Sequence, residues 1–284
     1  MKRNYTICGK GISIESELPI TEHENFNIFA VSEGNSDIKI TYHVSDKLPP
    51  MPVNFKETPV GALVSCEGED VFRHTPMGTA EGALSHYKIT DTSHSEVYFT
   101  NRSYGCMSDF RYMWNSVSLS QLFLPFKILL FHASYILVNG EAILFTAQCG
   151  VGKSTQAELW RKYMGAEVIN GDKAGVSVDH KGVYAHGLPF CGTSGICKNK
   201  SVPLKAIVLL SQAPENKINR VTGIQAIQSL MGNIYLDFVA PGETQQCVDT
   251  LIELLSTVPV YHLQCTPDEK AVKCLAGELG INYD

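Results

Sequence analysis

Ala147-Gln148-Cys149-Gly150-Val151-Gly152-Lys153-Ser154-Thr155 follows the apolar run Ala142-Ile143-Leu144-Phe145 and opens a stretch with helical spacing. A strand that turns through glycines into a helix sets successive backbone N–H groups, and the positive end of the helix dipole, around one point where phosphate oxygens can sit. In that reading Lys153 reaches the β and γ phosphates and Ser154 places its hydroxyl on magnesium, while Gly150 and Gly152 let the backbone come close. Gln148, Cys149, Val151 and Thr155 complete the cradle.

The pattern departs from the usual phosphate-binding loop at its first position, where Ala147 replaces glycine. A Cβ makes positive φ costly, so the loop must begin with ordinary dihedrals. From average residue frequencies, Gly-Lys-Ser-Thr is expected by chance in well under roughly one in a hundred chains of this length.

Upstream, Tyr135-Ile136-Leu137-Val138, Asn139-Gly140 and the run from Ala142 read as a hairpin, since Asn-Gly tolerates the positive φ of a tight two-residue turn. Downstream, residues 154–164 read as a helix, 168–169 as a short buried strand, and 175–178 with 183–186 as a second hairpin. Residues 206–210 form a continuous apolar run, as in a strand covered on both faces. Helices are expected over 223–238 and 244–255, a strand over 258–263, and a last helix over 267–278 with Thr266 as its N-cap.

The first 120 residues read differently. Short strands at 5–7, 26–31, 38–44, 62–66 and 96–100 alternate with Gly, Pro, Asn, Asp and Ser clusters. The histidines at 23, 43, 74, 86 and 94 have no ligand-like spacing and read as ordinary surface or cavity residues. Around residues 116–130 an apolar run is expected to form a helix leading into the second unit. The expected organisation is therefore a β-rich domain over 1–120 and a phosphate-binding α/β domain over 121–284.

At 284 residues and 44% hydrophobic content the chain can build a core in each domain. A net charge of −6, from 29 acidic and 23 basic residues with no long run of one sign, argues against nucleic acid as main partner, which needs a basic stripe. Nine cysteines without a Cys-x-x-Cys pair fit a reduced, cytoplasmic setting. No signal-like or membrane-spanning stretch is read: residues 122–130, the longest apolar segment, contain Pro125 and Lys127.

Residues 132–172 resemble the core of the HPr kinase/phosphorylase family and, more loosely, ATP-dependent PEP carboxykinase. Three features carry the resemblance: His132, in Phe131-His132-Ala133-Ser134, some fifteen residues before the loop; the loop from Gly150 onward; and Val168-Ile169-Asn170-Gly171-Asp172 after one helix. The resemblance implies a PEP carboxykinase/HPr kinase-like α/β (α+β) fold and an ATP- and Mg2+-dependent phosphotransferase acting on a hydroxyl of a protein, peptide or small molecule. It implies Asp172 on the metal side, together with Ser154, and a metal or phosphate role for His132. The family's acceptor-side base falls on Gly171; a one-residue slip would give that role to Asp172 and make Asn170 a bystander. His132, Asp179 and His186 are the candidates to substitute for that base.

The segment at 187–200 resembles in position the loop that contacts the acceptor in HPr kinases. It also resembles relatives from peptide-modification clusters and lasso-peptide kinases. Lys198 and Lys200 either clamp a phosphate or acidic acceptor or are solvated loop cations. The alternative function is a nucleotide-binding accessory or regulatory protein with little catalysis, for which Gly171 is the best argument.

Overall fold

The computed structural model describes residues 1–19, 23–34, 36–48, 54, 56–57, 63–67, 70–76, 83–101, 103, 110–236 and 242–283. Two compact units emerge: Met1–Pro125 with Leu236–Gln246, and Phe126–Tyr235 with Cys247–Asp284. The mixed architecture, with one sheet system in each unit, is α+β.

In the first unit, β1 (Lys2–Ile7), β2 (Lys10–Ser16), β3 (Ala30–Val31), β4 (Ile38–Ser45), β5 (Lys56–Glu57), β6 (Leu63–Glu67), β7 (Asp70–Pro76), β8 (Ala83–Ile89) and β9 (His94–Thr100) form one sheet. Their spatial order is β3-β1-β2-β4-β9-β8-β7-β6-β5. The strand expected over 26–31 is instead the short helix α1 (Glu24–Asn27) followed by β3. His23 Nδ1 caps that helix by accepting from the Asn25 amide at 3.2 Å, and fully buried Phe26 stacks on Trp114 with ring centroids 5.7 Å apart. Tertiary burial of one aromatic thus overrides the β-like composition.

The apolar run over 116–130 is not one helix either. After α2 (Phe110–Asn115), α3 (Leu119–Phe123) gives way to a 3₁₀ turn at Leu124–Phe126, and a strand begins at Ile128. Pro125 cannot continue the α-helical hydrogen bonding, and Lys127, at φ 54°, turns the chain before the strand.

The second unit comprises β10 (Ile128–Val138), β11 (Glu141–Thr146), α4 (Lys153–Met164), β12 (Glu167–Asn170), β13 (Lys173–Asp179), β14 (Gly182–Gly187), β15 (Ser201–Gln212), β16 (Lys217–Val221), α5 (Gly223–Met231), α6 (Glu243–Leu255) from Cys247 onward, β17 (Val260–Cys265) and α7 (Glu269–Glu278). The hairpin read at Asn139-Gly140 is present: both residues have positive φ, 51° and 81°, and Val138 pairs with Glu141. The long strands β10 and β15 are each shared between two layers. Their first halves close an antiparallel sheet with β13 and β14 between them. Their second halves lie in a mixed sheet ordered β12-β10-β11-β15-β17-β16.

Within the mixed sheet β11, β15 and β17 are parallel neighbours, so their C-terminal ends lie along one edge. Ala206, Ile207 and Val208 are fully buried in β15, as its apolar run implied. Helix α4 covers this sheet through Ala157 and Trp160, which pack in one cluster with Ile136, Phe145, Val168 and Leu275. Gly165, at φ 62°, ends the helix in the left-handed conformation that glycine adopts without strain.

The last helix starts two residues later than expected. Its N-cap is Asp268, whose carboxylate accepts from the amides of Lys270 and Ala271, whereas Thr266 bonds to Asn216 across the neighbouring loop. Asp268→Ala should therefore destabilise the helix start, measured as a lower midpoint in urea at unchanged slope.

Candidate functional site

The glycine-rich segment leaves β11 at its C-terminal end and enters α4 at Lys153. Gly150 at φ 80° and Gly152 at φ 124° make the bend, and the Val151 amide closes a turn onto the Gln148 carbonyl at 3.4 Å. An L side chain at either glycine would be strained. Ala147 is not among the positive-φ residues and packs into the core cluster, so glycine is not needed there. Lys153 is 7% exposed, with its ammonium folded over the loop to donate to the carbonyls of Ala147 at 3.1 Å and Gln148 at 3.4 Å. Burial pushes its pKa below the usual lysine value, and the nearby Asp172 carboxylate partly restores it. Gln148, Cys149 and Gly150, with Ser154 and Thr155 on the first turn of the helix, are exposed beside this ammonium.

Across from the loop, the turn between β12 and β13 is organised by Asn170. This side chain is fully buried and satisfied on every side. Its Nδ2 donates to the carbonyls of Leu188 and Phe190, and its Oδ1 accepts from the amides of Asp172 and Lys173, all four at 2.9 Å. Asn170 is therefore the residue that shapes the turn. Next to it the Gly171 carbonyl accepts two hydroxyls, Ser134 Oγ from β10 at 2.8 Å and Ser154 Oγ from α4 at 3.3 Å. These bonds bring the helix start and the Asp172 turn together.

Asp172 then lies between a histidine and a lysine. His132 Nε2 is 3.3 Å from Oδ1, and Lys173 Nζ is 3.3 Å from Oδ2. The hydrogen bond from His132, helped by the charge of Lys173, holds the Asp172 carboxyl down at about 2 against the opposing effect of burial. The segment after α5 adds Tyr235, whose amide donates to the Leu130 carbonyl, placing its ring 6.1 Å from that of His132 and 5.2 Å from Lys173 Nζ. Phe190 lies 5.9 Å from the same ammonium. Lys173, Tyr235 and Phe190 were not legible as site residues in the sequence. Lys173 merely follows the aspartate, and Tyr235 reaches it only through the fold.

Position 171 is closed to a side chain. A Cβ there would fall 2.6 Å from Ser194 Cβ, so Ser194, in the 3₁₀ turn Gly192–Ser194, fills the space beside the Gly171 backbone. The same turn needs its glycine: Gly192 has φ 55°, and a Cβ on it would come within 2.8 Å of Asp172 Cγ. The segment at 187–200 thus packs directly against Asp172. Its lysines do not point there, because Lys198 and Lys200 both pair with Glu167 of β12.

Two substitutes for the base have structural roles. Asp179 accepts from the Lys181 amide at 2.7 Å in the β13–β14 turn. His186 is buried, with Nδ1 2.7 Å from Ser201 Oγ and Nε2 2.8 Å from Ser177 Oγ, and burial lowers its pKa to about 4. Both ring nitrogens are engaged by serine hydroxyls.

No known protein family matches the sequence, and no curated protein does. Among solved structures, the HPr(Ser) kinase/phosphatase from Coxiella burnetii is similar in part, over 52% of this chain and 95% of that chain, at 9% identity and a TM-score of 0.32. A likeness that loose says nothing about chemistry, which rests on the geometry of the residues themselves.

Two measurements check this arrangement. Asn170→Leu removes four bonds and leaves two amides and two carbonyls without that partner; it should destabilise the second unit by at least about 3 kcal/mol, judged from the cost of unsatisfied buried groups, read as a drop in melting temperature. For His186, the unfolded chain takes up its proton near 6.5 but the folded chain only near 4. Stability should therefore fall as pH drops through that window, and denaturant titrations across it should show a flatter profile for His186→Gln.

Proposed function

We propose that this chain is a nucleotide- and magnesium-dependent phosphotransferase, with ATP as donor and a hydroxyl on a protein, peptide or small molecule as acceptor. The observation that carries the reading is the meeting of three parts at the start of α4: a loop bent by Gly150 and Gly152, the Lys153 ammonium folded over it, and Ser154 tied through the Gly171 carbonyl to the Asp172 turn.

In this reading the amides of residues 148–155 and the helix dipole face the phosphates. Lys153, now bonded to carbonyls, exchanges them for phosphate oxygens, and its depressed pKa rises as the anion arrives. Ser154 and Asp172 are oxygen donors of the kind magnesium takes, one hydroxyl and one carboxylate, with phosphate and water completing its shell. Bound there, the metal supplies charge neutralisation on the phosphate oxygens. On the acceptor side His132 is held by Asp172 Oδ1 and faces Tyr235, where its imidazole can take the proton of an attacking hydroxyl. Phosphoryl transfer depends chiefly on positioning and charge, so the pair can serve without a carboxylate at position 171. Seven described cysteines are free thiols, in keeping with a cytoplasmic protein.

One observation favours the second reading, a nucleotide-binding accessory protein. Position 171 has no carboxylate, and Ser194 leaves no room for one.

Calorimetry with ATP and magnesium, joined to transfer assays with γ-labelled ATP and candidate acceptors, separates the two. Lys153→Ala should weaken binding more than about tenfold, a loss of roughly 1.4 kcal/mol or more. Asp172→Asn should abolish the magnesium dependence and the transfer. Tight binding by the unaltered protein with neither transfer nor turnover supports the accessory role, and no magnesium-dependent nucleotide affinity at all removes both.

A further inference from the structure

One short turn touches both halves of the Gly171–Asp172 corner. Gly192 packs on Asp172 so closely that a Cβ on it would come within 2.8 Å of the carboxyl carbon, and Ser194 stands where a side chain on Gly171 would go. Gly192 at φ 55° and Gly195 at φ 66° hold the chain in left-handed conformations on either side of this serine.

Three serines therefore meet at Gly171, and they differ in their commitments. Ser134 is fully buried and donates to the Gly171 carbonyl. Ser154 donates to the same carbonyl and is the metal donor of the reading above. Ser194 is exposed, and its Oγ bonds only within its own turn, donating to the Cys191 carbonyl at 2.8 Å and accepting from the Ile196 amide at 3.3 Å. Rotation about one side-chain bond redirects that hydroxyl. A nucleophile held in the same chain needs no encounter step, and phosphoryl transfer asks chiefly for position.

We infer that Ser194 is a phosphate acceptor within its own chain. The inference rests on the phosphotransferase reading and gives it a substrate: the turn presents a hydroxyl to the corner that Ser154 and Asp172 share. Ser194 Oγ forms a bond to the γ-phosphorus of ATP as the bond from that phosphorus to the β–γ bridging oxygen breaks. ADP leaves with the electron pair, and the hydroxyl proton passes to the His132–Asp172 pair. The phosphoserine carries about two negative charges next to the Asp172 carboxylate, so a second triphosphate meets repulsion and each chain is modified once.

The test is incubation of the purified protein with γ-labelled ATP and magnesium and no added acceptor. Label should become covalent with a rate constant independent of protein concentration, and peptide mapping should find phosphoserine at position 194 and no phosphate on Thr193. Ser194→Ala should slow labelling by at least about tenfold. Its affinity for ATP with magnesium should stay within about twofold of the unaltered protein, which also shows that the variant is folded; if it is not, the peptide map of the unaltered protein decides. Label on another residue, a rate constant that rises with protein concentration, or undiminished labelling of a folded Ser194→Ala overturns the inference. Absence of label in a protein that binds ATP with magnesium also overturns it, and transfer to an added hydroxyl in the same assay leaves the phosphotransferase reading standing. Absence of any magnesium-dependent ATP binding overturns both.

Discussion

The arrangement around the site depends on one buried carboxamide. Asn170 uses both faces of its amide, donating to the 188–190 segment and accepting from the two amides that follow it. A buried group with that many partners has essentially one conformation, since each alternative leaves several polar atoms unpaired. Because the turn is held in this way, Gly171 presents its carbonyl to both Ser134 and Ser154, and Asp172 is directed at His132 and Lys173. The glycine-rich segment at 187–200 is fastened to the same node and supplies Gly192 and Ser194 to the surroundings of positions 171 and 172.

Strand sharing sets the scale above this. β10 carries His132 in the half that pairs with β13, and Ser134 in the half that pairs with β11 and β12. One strand therefore delivers residues to both sides of the turn. β15, parallel to β11 and β17, draws three strand ends to one edge, so the loop and a cleft beside it share a wall. The anchoring core is ordinary hydrophobic packing, in which α4 buries Trp160 against Phe145 with centroids 6.3 Å apart. Burial of an aromatic that size is what fixes the helix, and with it the direction of Lys153 and Ser154.

The charges are arranged about a single carboxylate. His132 and Lys173 take one oxygen each of Asp172, and Lys153 feels the same carboxylate from across the loop. That carboxylate keeps the Lys173 ammonium and the His132 ring in place by direct contact.

Much of the second unit was legible in the chain itself. Asn139-Gly140 dictates its hairpin because few other residues tolerate two successive positive φ values. The strand, glycines and Lys-Ser-Thr define a strand–loop–helix through short-range geometry alone, and the apolar run at 206–210 identifies a buried strand. Other features came only with the tertiary structure. Residues 26–31 and 116–130 went astray because the burial of Phe26 and the break at Pro125 outweigh local propensity. The N-cap moved from Thr266 to Asp268 because Asn216, fifty residues away, claims the threonine. The site assembles from segments far apart in sequence, so no spacing could place Tyr235 beside Lys173 or Ser194 beside Gly171. Local patterns determine how a segment bends; which segments then meet is decided by the burial and hydrogen-bond satisfaction of the folded chain.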